Sequence, residues 1–296
     1  MKKELPIPIF VFGITVRSGT NYMGSLMSKV KEVTSVPKTI SQGEFPLFRS
    51  KVMDHWDSWF QQLNHLSFGV DDIPAEKLEE KIGRSLLEYY VDRYAIDTPY
   101  IFFKDPNVIG IGRVWDFFPD AKVILLRRNG KDLVSSFAKG SQLMRRSYPR
   151  MKKIKARIKN WSGYGFVSAC RTYKKAAESF QETLQDPRIQ RRIGSDVRLL
   201  TYEDVFRNPS DNLGRILIDF GVNVSKQEMK EWENAEVVGS SFGSKNGKVQ
   251  DWGRSEVNEN FNPVGRYQGW NALQRTMYQR ICGRIERSLK MATNGQ

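Results

Sequence analysis

An uncharged run, Ile-Pro-Ile-Phe-Val-Phe from Ile7 to Phe12, passes through Gly13 into a loop of small and polar residues. Beyond the loop Tyr22, Met23, Leu26, Met27 and Val30 recur at helical spacing. A short run that is apolar at every position reads as a strand buried on both faces, and the amphipathic segment after it reads as the helix covering one face. The unit recurs. Tyr100–Phe103 reads as a strand, followed by Val108, Ile111, Val114, Trp115 and Phe118 on one helical face; Lys122–Leu126 reads as another, with a helix from Asp132 onward. Val197–Leu200 reads as a fourth, with a helix around Asp211–Phe220. Further helical pattern covers Glu76–Tyr94, Asn160–Leu184 and Ala272–Leu289, and Gly239–Gly269 reads as a long functional loop, a flap over a ligand. Alternating strands and helices predict an α/β, P-loop-like three-layer fold, with a central, mainly parallel sheet flanked by helices.

At 296 residues, with 40% hydrophobic and 12% aromatic side chains, the chain can bury a sizeable core, and residues 1–296 are expected to form one domain. Lys and Arg outnumber Asp and Glu by 47 to 33, a formal charge of +14. Such a field draws anions, whether nucleic acid, anionic glycans, acidic peptides or phosphate-rich cofactors. Cys170 and Cys282, the two cysteines, are too few and too distant in sequence for a disulfide framework or a zinc cluster. No metal site is expected, nor a signal peptide or membrane span, and a reducing, cytoplasmic setting follows as the simplest expectation. Arg145–Lys159 carries eight basic residues in fifteen; a solvated surface is favoured there over a dedicated binding patch.

The first loop, Phe-Gly-Ile-Thr-Val-Arg-Ser-Gly-Thr-Asn, is built to hold an anion. Gly13, Ser18, Gly19 and Thr20 permit a tight turn, so that successive N–H groups and a helix N-terminus converge on one point. Arg17 adds a forked cation, and Ser18, Thr20 and Asn21 add side-chain donors. An NTPase loop would end in Gly-Lys-Ser/Thr; here Thr20 follows Gly19, and the cation precedes the glycine by two residues, which disfavours Mg-ATP. A second motif, Lys-Val-Ile-Leu-Leu-Arg-Arg-Asn-Gly-Lys-Asp from Lys122, ends a strand in Arg127 and Arg128 and enters a helix carrying Ser136. Arg128 and Ser136 are expected in the crevice at the carboxyl edge of the sheet. Two anion sites on neighbouring strand ends suit a ligand with phosphates at both ends.

At these two motifs the chain resembles the PAPS-dependent sulfotransferases, whose donor is 3′-phosphoadenosine 5′-phosphosulfate. Arg-Ser-Gly-Thr-Asn is similar to that family's 5′-phosphosulfate loop, and Arg128 with Ser136 matches its 3′-phosphate pattern. Lys-Asp-Pro at Lys104–Pro106, Thr-Tyr-Glu-Asp at Thr201–Asp204 and Gly-Arg-Tyr-Gln-Gly-Trp at Gly265–Trp270 follow in order. The resemblance leans toward the tyrosylprotein, bacterial and carbohydrate branch. The cytosolic phenol and steroid enzymes carry Lys-Thr-His, their His being the base, where this chain has Lys104, Asp105 and Pro106. Gly43-Glu44 looks like the Gly-Glu pair that supplies a glutamate base in the tyrosylprotein branch.

The resemblance implies sulfuryl transfer from PAPS to a hydroxyl acceptor, leaving PAP, without a metal. It casts Glu44 as general base, Lys104 and Arg17 as electrostatic stabilisers, and Arg17, Ser18, Gly19, Thr20, Asn21 and Tyr22 as the phosphosulfate cradle. Arg128 and Ser136 would bind the 3′-phosphate, Tyr202 border the adenine, and Arg266 close the late loop over the nucleotide. Asn21 departs from the usual second threonine of the loop but remains a donor. Each role has a plainer rival. Glu44 as a solvated carboxylate, Lys104 paired with an acid, Tyr202 capping the core beside Trp115 or Trp161, and Arg254 in place of Arg266 all stay open, with His55 and His65 as alternative bases. At the level of function the rivals are a P-loop kinase or NTPase, a basic nucleic-acid-binding protein and a noncatalytic member that keeps the nucleotide site. The acceptor is a small molecule, glycan or peptide, and the basic stretch at Arg145–Lys159 suggests an anionic one.

Overall fold

The computed structural model of the chain describes residues 4–36, 55, 56, 58, 75–146, 164–235 and 262–294. Strands β1 (Ile7–Gly13), β2 (Val33–Ser35), β3 (Tyr100–Asp105), β4 (Lys122–Arg127) and β5 (Val197–Thr201) form a sheet in the order β2-β3-β1-β4-β5. All four pairings are parallel. Helices α1 (Thr20–Met27), α2 (Ala75–Tyr94), α3 (Val114–Phe117), α4 (Gly130–Arg146), α5 (Tyr164–Gln185), α6 (Pro187–Gln190), α7 (Tyr202–Arg207), α8 (Arg215–Asp219), α9 (Lys226–Glu233) and α10 (Ala272–Asn294) accompany it.

Both faces of the central strands β1, β3 and β4 are buried, which is why they carry near-continuous apolar runs. Phe10, Phe12, Ile101, Phe103, Val123 and Leu125 join one core with residues of α2, α3, α4, α5 and α10. Their neighbours Ile9, Val11, Tyr100, Phe102, Ile124 and Leu126 join a second core with residues of α1, α7, α8 and α9. The three-layer α/β expectation therefore holds. Pro8 is tolerated in the central strand because the N–H it lacks would have faced β4, and pairing with β4 begins only at Ile9.

The strand expectations hold to within two residues, and β2 is a three-residue strand that the sequence pattern did not expose. One helix expectation fails. Over Val108–Phe118 the chain makes a 3-10 turn at Ile111–Arg113 and only four α-helical residues. Gly110, at φ 83, breaks the path ahead of that turn, so the periodic apolar residues line a compact corner instead of a helix face. Gly239–Gly269 is described only from residue 262, where a short 3-10 helix, Arg266–Gly269, precedes α10. The basic stretch at Arg145–Lys159 falls almost wholly outside the described residues. Among the described residues no helix is long and apolar enough to cross a membrane.

Behind β4 lies a buried ionic knot. Arg127 donates to the Leu289 carbonyl at 3.2 Å and pairs with Glu286 at 3.5 Å. Glu286 also accepts from the hydroxyls of Tyr173 and Tyr278. Burial and the Glu286 charge push both phenols above their ordinary range, so they stay donors at any physiological pH. Cys170 and Cys282, remote in sequence, meet here: the Cys282 thiol donates to the Cys170 carbonyl at 3.3 Å, and both are free and buried.

Gly83 of α2 sits where a Cβ would overlap the Phe117 carbonyl, so helix and backbone touch directly. Helix propensity alone would make Gly83→Ala stabilising by about 1 kcal/mol. The close approach reverses the sign, and the expected cost is about 1–3 kcal/mol, read as a lower urea midpoint. A raised midpoint would contradict this packing.

Candidate active site

The loop after β1 closes on itself before it faces outward. Ser18 donates its hydroxyl to the Thr15 carbonyl at 2.6 Å, and its N–H reaches the same oxygen at 3.2 Å. A Cβ on Gly13 would overlap that Ser18 hydroxyl, which fixes glycine at the strand end. Gly19, at φ 105, precedes α1, and a Cβ there would overlap the Tyr202 ring. Glycine answers both demands, positive φ and ring contact. Among the described residues no side chain caps α1, and its first turn holds no acid, so its leading N–H groups face an anion favourably.

Arg17 is the other left-handed residue of the loop, at φ 74. That conformation costs a bulky side chain about 1–2 kcal/mol and persists only where neighbours impose it. Two do. Arg128 donates to the Arg17 carbonyl at 2.7 Å, and the Arg17 Nε donates to the Ser136 hydroxyl at 3.1 Å. Burial, with the nearby Arg128 and Arg266 charges, draws the Arg17 guanidinium down to about 10, still a cation at neutral pH.

Arg128, one residue past β4, donates its second terminal nitrogen to the Pro263 carbonyl at 2.6 Å. Its guanidinium lies 4.6 Å from the centre of the Tyr202 ring. Its Nε is buried with no hydrogen-bond partner among the described residues. Arg266 completes a trio of guanidinium groups: burial first, then the Arg128 charge, lowers its pKa, while Asp132 opposes the shift. Three cations gathered in a partly desolvated space repel one another unless an anion joins them.

Lys104 stands across the loop, near the end of β3. It is 6% exposed and donates to the Asn21 side-chain oxygen at 2.5 Å. Burial draws its ammonium down to about 8.

Arg17, Ser18, Gly19, Thr20, Asn21, Lys104, Arg128, Ser136, Tyr202 and Arg266 therefore gather at the carboxyl edge of β1, β3, β4 and β5. Tyr22 is split: its ring packs in the core against Tyr202 and Phe206, and only its backbone N–H stays with the helix start. Tyr202 is 2% exposed in that same core; Trp115 lies in the core across the sheet, and Trp161 lies outside the described residues. Glu44, His65 and Arg254 also lie outside the described residues, and His55 is exposed.

Two acids that lie within the quoted motifs were given no role from the sequence. Asp132 accepts the N–H groups of Gly265 and Arg266 at 3.0 and 2.6 Å. Glu203 accepts the Asn129 N–H at 3.1 Å, and burial pushes its carboxyl up. Asp132 carried a local signal, an acid in the first turn of a helix, but nothing local pointed to partners 133 and 134 residues away.

In comparisons with known proteins, the chain covers 98% of its length in an alignment with the sulfotransferase domain of the olefin synthase from Synechococcus PCC 7002. That domain is 16% identical and covered over 97%, at a TM-score of 0.48. A mouse sulfotransferase complexed with PAP aligns over 99% of this chain and 90% of that one, at 13% identity and a TM-score of 0.48. No curated protein sequence matches. The sequence model of the sulfotransferase family matches residues 8–226, from the central strand through the anion loop and the arginine-bearing end of β4 to the first residue of α9. On that match over most of its length, the chain belongs to the sulfotransferase family and is an enzyme of sulfuryl transfer.

Proposed function

We propose that the chain transfers the sulfuryl group of PAPS to a hydroxyl acceptor, with the nucleotide lying along the carboxyl edge of the sheet. The observation that carries this reading is the buried, unpartnered Nε of Arg128, among the described residues, beside the cations Arg17 and Arg266. A buried donor without an acceptor costs about 1–3 kcal/mol, and a phosphate arriving among these groups removes that cost together with the mutual repulsion. Arg128, Ser136 and Arg266 take the 3′-phosphate, and Tyr202 lies along the adenine side. The N–H groups from Gly19 to Tyr22 take the 5′-phosphosulfate, with Ser18 bracing the loop from within and Arg17 and Lys104 on its charged oxygens.

In the reaction the acceptor oxygen attacks sulfur in line, a new O–S bond forms, and the S–O bond to the 5′-phosphate breaks. The electron pair leaves on the phosphate oxygen of PAP, where Lys104 and Arg17 meet the growing charge. The acceptor proton passes to a base, for which Glu44 is proposed from its Gly-Glu sequence. The acceptor proposed is an anionic glycan or acidic peptide, on the strength of the +14 charge and the basic run Arg145–Lys159.

PAP at a hundred times its Kd is expected to stabilise the fold by about 2.7 kcal/mol, seen as a raised Tm, while Mg-ATP gives no comparable shift. An equal shift with Mg-ATP would overturn the donor assignment. Glu44→Gln is expected to keep PAP binding and lose transfer by about 10²–10⁴-fold; full activity in that variant would remove Glu44 from the role.

The pH dependence follows from Lys104. Burial leaves its ammonium charged below about 8, and a bound anion raises that value. PAP affinity is therefore flat below pH 8 and falls as pH rises through it, by as much as about tenfold per unit. The phosphate's own second ionisation, near pH 6, is complete by then. Calorimetric titration from pH 6.5 to 9.5 reads this limb, and Lys104→Arg, charged throughout, is expected to abolish it.

A further inference from the structure

Asp132 is 1% exposed, and a buried carboxylate needs good partners to be stable there. Its partners are two consecutive backbone N–H groups of the late loop: Oδ2 accepts from Gly265 at 3.0 Å and Oδ1 from Arg266 at 2.6 Å. The same loop is held a second time, three residues earlier, by Arg128 on the Pro263 carbonyl at 2.6 Å. Gly265 takes φ 79 between these two ties, so the chain turns sharply where Asp132 grips it.

The grip matters because of what the loop carries. Arg266 stands near Arg17 and Arg128, and like charges gathered in a partly desolvated space repel one another. Pro263 before and Trp270 after are anchored independently, by Arg128 and by the core, and Gly265 and Arg266 lie between them. Two adjacent hydrogen bonds to a charged acceptor fix both the position and the direction of the Arg266 backbone, and the Asp132 charge offsets part of the repulsion.

We infer that Asp132 is a positioning residue: by holding the backbone of Gly265 and Arg266 it keeps Arg266 in the arginine trio, and so sets the preference for a nucleotide bearing a 3′-phosphate over one without. This rests on the PAPS reading above. Asp132 acts through the backbone of Gly265 and Arg266.

The test compares calorimetric affinities for PAP and for adenosine 5′-phosphate in four proteins: the parent, Asp132→Asn, Arg266→Ala and the double variant. Asp132→Asn is expected to lose about ten- to a hundredfold in PAP affinity with adenosine 5′-phosphate unchanged, since one charged acceptor is lost. In the Arg266→Ala background the same change is expected to cost nothing further, because the two act as one unit. Gly265→Ala is a second route to the same loss should Asp132→Asn fail to fold. It leaves the carboxylate in place but strains φ, and its Cβ would come within 3.3 Å of the Gln268 side chain. The inference is overturned if Asp132→Asn weakens both nucleotides alike, or if its effect adds in full to that of Arg266→Ala. A parent that binds both nucleotides equally would instead sink the PAPS reading, and this inference with it.

Discussion

The register of the central strand governs where everything else stands. Phe12 pairs with Asp105 on one side and Leu125 on the other, and Gly13 pairs with Leu126. In a parallel sheet this brings three strand ends to one edge, so that the loop after β1 lies between Lys104 and Arg128 with no further design. A slip of one residue would send Lys104 and its neighbours to the wrong face and exchange the two cores. The apolar alternation that fills those cores thus also aligns the cations.

Arg128 then joins what register alone leaves apart. Its guanidinium links a loop near residue 17, a loop near residue 263 and the Tyr202 ring through two hydrogen bonds and a stacked contact. Bonds to carbonyl groups this deeply buried are ordering interactions, and here they hold Arg17 in a backbone conformation it would not choose alone. Fixing the loops through protein groups in this way lowers the ordering cost that binding would otherwise carry.

The strands and the anion loop were legible because their signals are local: apolar runs for β1, β3, β4 and β5, glycines at Gly13 and Gly19, and cations just past strand ends. Arg128 and Ser136 were readable for the same reason, as residues at fixed spacing from a strand. Other features had no such signal. Strand β2 is three residues long, too short to show a period. The corner at Val108–Phe118 kept a helical period while glycine removed the helix. Asp132 and Pro263 matter through side-chain-to-backbone bonds that span more than a hundred residues, which leave no spacing to recognise. Cys170 and Cys282 likewise look unrelated along the chain and touch in space.

Arg127 and Arg128 are adjacent, yet they serve opposite sides of the sheet, as neighbours on an extended chain must. Arg127 ends in the knot of Glu286, Tyr173 and the Leu289 carbonyl, while Arg128 ends among the loops of the site. The dipeptide is a rivet driven through the sheet. One peptide bond therefore separates the anchor of α10 on the hidden side from the guanidinium that ties the two loops on the other, so the outer helix and those loops share a single fixing point in the sheet.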